Sequence, residues 1–223
     1  MHVRPSRTTC SVRALRSILA CTLVSASAAV AAAPPLAAAL LAKMAKAPPV
    51  ATPFVQVAYR GVLSQPLVVS GTLRWLGGDR LERDIDKPFK EIAKAGNGEL
   101  SVQRGDGKAR VMSLQRAPQV GAMLAGFRAL LGGDVVSLQK DFTLAAQGGD
   151  ARWVITLTPR THALQRQLAS IVIDGRGNEP RCLTMTDANG DGSITLLGAL
   201  ARAGLPSVAP LESAVAALCR NGR

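Results

Sequence analysis

Between residues 50 and 197 the apolar positions of this chain recur at every second residue. In the run from Trp153 to Pro159, Trp153, Ile155 and Leu157 fall on one side, while Val154, Thr156 and Thr158 fall on the other. A strand with period two sorts those sets onto an oily face and a wetter one. The same reading covers Thr52–Leu63, Leu67–Leu76, Leu81–Lys87, Phe89–Ala95, Glu99–Arg104, Arg110–Leu114, Phe142–Gln147, Ser170–Asp174, Arg181–Thr186 and Ser193–Leu197. Turn residues part them, as at Gly96-Asn97-Gly98, Gly105-Asp106-Gly107 and Asp187 to Gly192,. About ten closely joined strands describe an antiparallel meander, because a parallel return needs a long crossover.

Helical spacing interrupts this pattern in a few places. Leu36, Leu40, Leu41 and Met44 predict a helix over Pro34–Lys46 that stops before Pro48-Pro49,. Val120, Met123, Leu124, Phe127, Leu130 and Leu131 form an amphipathic stripe over Pro118–Leu131, ended by Gly132-Gly133,. Asp134 can then cap a short helix through Lys140. One or two helical turns fit after Pro159, and Leu211–Cys219 reads as a last helix whose role the pattern leaves open.

A helix set among antiparallel strands must bury its stripe, and the concave side of the sheet is the surface available. The expected class is therefore mainly β with helices (α+β), a curved sheet whose concave face is covered. Candidate ligand-binding residues, lining a hydrophobic cavity on that face, are Val69, Leu73, Trp75, Leu81, Ile85, Met123, Leu124, Phe127, Ile155 and Leu157, with Arg83 beside the inward Leu81 and Ile85. A register slip of one residue would invert each strand's set. Aromatics are few, with four Phe, one Tyr and two Trp. An aliphatic interior of this kind either packs solid or leaves a hollow suited to a flexible acyl or polyene chain.

The N-terminus adds a compartment. Arg4, Arg7, Arg13 and Arg16 precede an apolar run over residues 17–33 that ends in small residues before Pro34-Pro35. A basic start, a short apolar middle and a small-residue exit describe a cleaved secretory signal peptide over residues 1–33. The run is too dilute for the ~20 apolar residues of a membrane span. Cys21 invites a lipoprotein reading, but Arg16 stands too close for an apolar region to precede it. Removing the leader leaves 190 residues and takes the formal charge from +12 to +8. Residues 34–200 are then expected to form one domain, followed by a tail at 201–223. Cys182 and Cys219 remain, and the sequence leaves open whether they pair.

Candidate chemistry is thin. Asp187, Asn189 and Asp191 begin like a calcium loop, but the twelfth position is Gly198 rather than a bidentate Glu, so a hairpin turn is expected,. After the leader the chain has one histidine, His162, and no Gly-x-Ser-x-Gly elbow,. No His and Cys cluster points to zinc and no Gly-rich loop to phosphate, so neither metal nor cofactor is expected. Arg74, Arg80, Arg83, Arg104, Arg110 and Arg116 are scattered rather than grouped with stacking aromatics, which argues against nucleic acid,. Attraction to anionic headgroups and ordinary solvation both account for the basic balance.

Four blocks carry a family resemblance: Phe54-Val55-Gln56 with Gly71-Thr72-Leu73; Asp79 to Arg83; Trp153 to Pro159; and Ile171 to Gly175 running into Asp187–Gly192 and Ile194. Together, in order, they resemble the LolA-like periplasmic carriers of outer-membrane lipoproteins. The resemblance implies a half-open antiparallel barrel, capped by helices, that holds acyl chains without covalent chemistry and uses Pro118–Lys140 as a lid. It also implies an inner-membrane release complex or exporter as donor, an outer-membrane acceptor, and a monomer. The chain departs where lipoprotein carriers have an Arg-Pro pair that latches the lid, since Gly77-Gly78 stands there. Its wording is similar to a divergent branch found alongside aryl-polyene or xanthomonadin-type synthesis functions, which widens the expected cargo to a lipid or polyene-acyl molecule. The competing expectation is a non-catalytic scaffold subunit that binds a membrane exporter or synthase through the sheet edge.

Overall fold

The computed structural model describes residues 35–116, 121, 124 and 131–221. Eleven strands form a single antiparallel sheet: β1 (Val50–Tyr59), β2 (Leu67–Gly77), β3 (Arg80–Lys87), β4 (Glu91–Gly96), β5 (Glu99–Arg104), β6 (Arg110–Ser113), β7 (Phe142–Gly149), β8 (Arg152–Pro159), β9 (Leu168–Arg176), β10 (Glu179–Asp187) and β11 (Gly192–Leu197). Their order is β6-β5-β4-β3-β2-β1-β11-β10-β9-β8-β7. The sheet is open, with β6 and β7 as its edges. Two meanders, β1–β6 and β7–β11, are joined where β1 pairs with β11, from Phe54 opposite Leu197 to Tyr59 opposite Gly192. This is the antiparallel meander that the strand pattern predicts, left open as the family resemblance implies.

Local chemistry explains the hairpins. Asn97 and Gly98 both take positive φ (53° and 75°), as a two-residue type I′ turn demands, and Gly96 pairs with Glu99 across it,. The Asp187–Gly192 segment is the β10–β11 turn, where Gly190 N–H donates to Asp187 O and Asp191 accepts from Gly61 N–H at 2.9 Å. Strand β4 starts two residues later than Phe89, which is 40% exposed. Strand β1 ends at Tyr59 because Arg60 O accepts from Leu63 N–H and turns the chain early.

One face of the sheet carries the main core. Phe54, Val69, Leu73, Trp75, Leu81, Ile85, Trp153, Ile155, Leu157, Ile171 and Ile173 belong to one buried cluster. Helix α1 (Pro35–Met44) contributes Ala37, Leu40, Leu41 and Met44 and packs against β7. Helix α2 (Val135–Asp141) is capped as expected by Asp134, whose carboxylate accepts from Ser137 N–H at 3.0 Å, and it buries Leu138. Helix α3 (His162–Gln165) makes the short excursion after Pro159, capped by Thr161. Gly121, Leu124, Leu131 and Gly132 are helical; Met123, Phe127 and most of the predicted Pro118–Leu131 stripe lie outside the described residues. No helix of the described residues is long and apolar enough to cross a membrane.

The opposite face is covered too, which the periodicity did not predict. Helix α4 (Ala199–Ala203) and helix α5 (Glu212–Asn221) lie there, and Leu200, Val215 and Cys219 join Val57, Ile194, Leu196 and Cys182 in a second buried cluster. A Cys182–Cys219 disulfide, with Cα atoms 5.7 Å apart, staples α5 to β10. The pairing that the sequence left open is therefore made. The residues without a predicted role close the outer face.

Tyr59 anchors the segment ahead of α5, its hydroxyl donating to Pro210 O at 3.2 Å. Burial, reinforced by the Glu212 carboxylate, pushes its phenol up to about 12 from the ordinary 10.0. The folded chain thus holds this proton more tightly than the unfolded chain. The resulting stabilisation is whole below pH 10 and is lost as pH rises through 12. Alkaline titration monitored by hydrogen exchange of α5 should show loosening in that window, and Tyr59→Phe should remove that component. An identical alkaline profile in the variant would refute the coupling.

Candidate functional site

Cross-strand rows on the inner face decide where it is solid and where it is hollow. In one row Leu81 faces Ala95, which faces Leu100; in the next, Arg83 faces Ala93, which faces Val102. Two alanines in the middle of β4 leave space that a larger side chain would occupy. The result is a cavity of about 250 Å³ lined, among the described residues, by Gln56, Leu81, Arg83, Glu91, Ala93, Ala95, Leu100, Val102 and Leu124. An apolar cavity of about 150 Å³ already admits a benzene-sized guest, and drug-sized ligands occupy about 300–1,000 Å³. This volume suits one slender chain. A second hollow of about 250 Å³ is lined by Leu76, Leu81, Ala95 and Val111 together with Arg80, Glu82, Lys94 and Asn97, and a Glu82–Lys94 ion pair spans 3.3 Å there.

Of the candidates drawn from the sequence, Leu81 and Leu124 line the cavity. Val69, Leu73, Trp75 and Ile85 are buried in the same cluster but do not border it. Ile155 and Leu157, both fully buried, belong to the β8 part of that core. Met123 and Phe127 fall outside the described residues. The lining also includes residues that hydrophobicity alone passed over, namely Ala93, Ala95, Leu100, Val102 and a polar group. The signal available for them was Ala93 and Ala95 at period two, beside an Arg flanked by inward Leu81 and Ile85.

That polar group forms a seam across the oily face. The Arg83 guanidinium sits 5.1 Å from the centroid of the Phe54 ring and donates to Gln56 Oε1 at 2.7 Å. Gln56 Nε2 in turn donates to Thr195 Oγ1 at 3.2 Å and more weakly to Ser193 Oγ at 3.5 Å. Both hydroxyl residues are buried. Arg83 Nη1 lies 3.7 Å from Glu91 Oε1, while Glu91 Oε2 accepts from Arg104 Nε at 2.6 Å. Burial lowers the Arg83 pKa and the Glu91 charge acts against that, yet a guanidinium stays protonated in proteins,. No group of three or more metal-binding side chains occurs among the described residues.

A family model described as outer membrane lipoprotein carrier protein LolA-like matches residues 26–222. The chain belongs to the LolA-like family. Among solved structures, a LolA superfamily protein from Nitrosomonas europaea is similar at 10% identity and a TM-score of 0.41, covering 73% of this chain and 91% of that one. A DUF1329 family protein from Desulfovibrio piger shares 12% identity at a TM-score of 0.39, covering 74% and 90%. The MucA/MucB complex of Pseudomonas aeruginosa is similar at 15% identity and a TM-score of 0.30, covering 80% and 60%. No curated protein matches the sequence. The LolA-like match takes in helices α4 and α5 as well as the sheet.

Proposed function

We propose that this LolA-like protein is a periplasmic carrier that shields the acyl part of a lipid or lipoprotein between the inner and outer membranes. The observation that carries the reading is the cavity between Leu81, Ala93, Ala95, Leu100, Val102 and Leu124, a mainly apolar hollow on the covered face of an open sheet, with Gln56, Arg83 and Glu91 in its wall. Family membership supports the carrier role and the periplasmic setting. The Cys182–Cys219 bridge suits an oxidising compartment, as does the leader pattern at residues 1–33,.

Physical chemistry then sets how cargo is held and released. Each buried methylene contributes about 0.8 kcal/mol, so eight of them contribute about 6 kcal/mol before ordering costs. Such binding needs no covalent step, and hand-over requires only an acceptor that binds more tightly. His162 lies on the exposed start of α3, away from the cavity lining, where no acid–base task is visible for it. The donor in this reading is an inner-membrane release complex or exporter, the acceptor lies at the outer membrane, and the carrier works as a monomer. The divergent wording of the chain keeps a polyene-acyl cargo within the same class.

Mature protein isolated from the periplasm should carry extractable acyl lipid. Ala93→Phe, which puts a ring into the hollow, should cut that lipid about tenfold at nearly unchanged thermal stability. A wild-type protein that stays empty and indifferent to added lipid would sink the carrier reading. The exposed edge strand β6, with Val111 61% exposed, favours the alternative of an accessory subunit that pairs with an exporter or synthase,. A protein partner in place of lipid would point that way.

A further inference from the structure

A polar seam of Arg83, Gln56 and Glu91, continued by the buried Thr195 and Ser193 hydroxyls, crosses the inner face of the sheet, and its first three members form part of the cavity wall. A guanidinium has five N–H donors, and burying it is costly unless they are satisfied. Among the described residues the Arg83 guanidinium makes one hydrogen bond, to the neutral Gln56 side-chain carbonyl. Its approach to Glu91 is 3.7 Å, too long for a hydrogen bond, and that carboxylate is committed to Arg104 at 2.6 Å,. Arg83 and Glu91 line the cavity, and Arg104, outside it and 79% exposed, takes up the Glu91 carboxylate, so the three groups together carry one net positive charge. For holding the sheet alone, an apolar side chain of similar size would serve as well or better.

We infer that the cargo carries a carboxylate, and that Arg83, braced by Gln56, receives it while the chain lies along Ala93, Ala95 and Leu100. The inference rests on the carrier reading and narrows it to single-chain carboxylic acids. A carboxylate brings one negative charge, which balances the net positive charge of the cluster, and its two oxygens match the guanidinium fork. A phosphate monoester brings nearly two charges at neutral pH. A two-chain lipid exceeds a hollow of about 250 Å³. An acylated protein has its chains in ester or amide linkage and offers no carboxylate at that point.

Calorimetric titration of the delipidated mature protein with dodecanoate, dodecanol and dodecyl phosphate tests this. Dodecanoate should bind about tenfold more tightly than dodecanol, the worth of one charge-assisted pair. Arg83→Met should abolish the preference, so that acid and alcohol bind that variant alike. Arg83→Lys should keep part of the preference, and Glu91→Gln, by removing the competing carboxylate, should raise it. If Arg83→Met does not fold, Arg83→Lys and Glu91→Gln carry the test through their opposite shifts. Equal binding of acid and alcohol would overturn the carboxylate and leave the carrier standing. Tighter binding of dodecyl phosphate would assign the seam to a phosphate head instead. A preference for the acid that survives in folded Arg83→Met would remove Arg83 from the role. Absence of binding by all three would overturn both the inference and the carrier reading.

Discussion

Replacing both Cys182 and Cys219 by Ala is expected to lower stability by about 4 kcal/mol, because the bridge closes a loop of 37 residues and a loop of that size loses about that much unfolded-chain entropy,. Two features of the structure put the effect near the upper end. Helix α5 has ten residues but fully buries only Val215 and Cys219, with Ala216 and Leu218 half-buried and an Arg176–Asn221 O hydrogen bond as its other ties. Once it lifts, Val57, Ile194 and Leu196 lose their cover on the outer face. Urea denaturation should show a lower midpoint with reductant or in the double variant. The cavity lies on the other face of the sheet, so lipid binding well below the midpoint should persist. A loss under 1 kcal/mol would mean that α5 packing, and not the bridge, secures the outer layer.

Gly175→Ala should be as damaging, although it adds only a methyl group. Gly175 sits opposite Trp153 in the β8–β9 ladder, and the indole lies across it. A Cβ there would fall 1.9 Å from Trp153 Cζ2, far inside contact distance. Trp153 has nowhere to move, being fully buried with its indole N–H donating to Gly177 O at 2.9 Å. Expelling the ring forfeits what a buried Trp contributes, about 3–5 kcal/mol, together with that hydrogen bond. Trp153→Leu should cost less by itself and, combined with Gly175→Ala, should relieve the clash. The two losses should therefore be strongly non-additive in a double-mutant cycle. Simple additivity, or a Gly175→Ala variant of near wild-type stability, would show that the ring does not rest on this glycine.

Strand positions were legible because their information is local. Glu99–Arg104 has the bounds read from the sequence, and Leu81–Lys87 and Trp153–Pro159 each gain only one residue at the start. Inward faces were legible as well, since one buried residue in a strand sets the parity of the rest. Leu81 and Ile85 are accordingly buried on the face that bears Arg83. The cavity was less legible. A pattern that rewards large apolar residues selects Ile155 and Leu157, which help fill the core, and passes over Ala93 and Ala95, whose small size makes the space.

By itself the sequence determined the period-two strands, their turns, the Asp134 cap and an antiparallel sheet with one oily face. Each of these depends on neighbours a few residues apart, where backbone geometry and side-chain type suffice. Only the tertiary structure decided that β1 joins β11, that Cys182 meets Cys219, and that Arg83 stands over Ala93 with Gln56 behind it. Those contacts join residues far apart in the chain, and their formation depends on strand order and on which side chains leave room. A space is a property of the surrounding walls together, and no single stretch of residues encodes it.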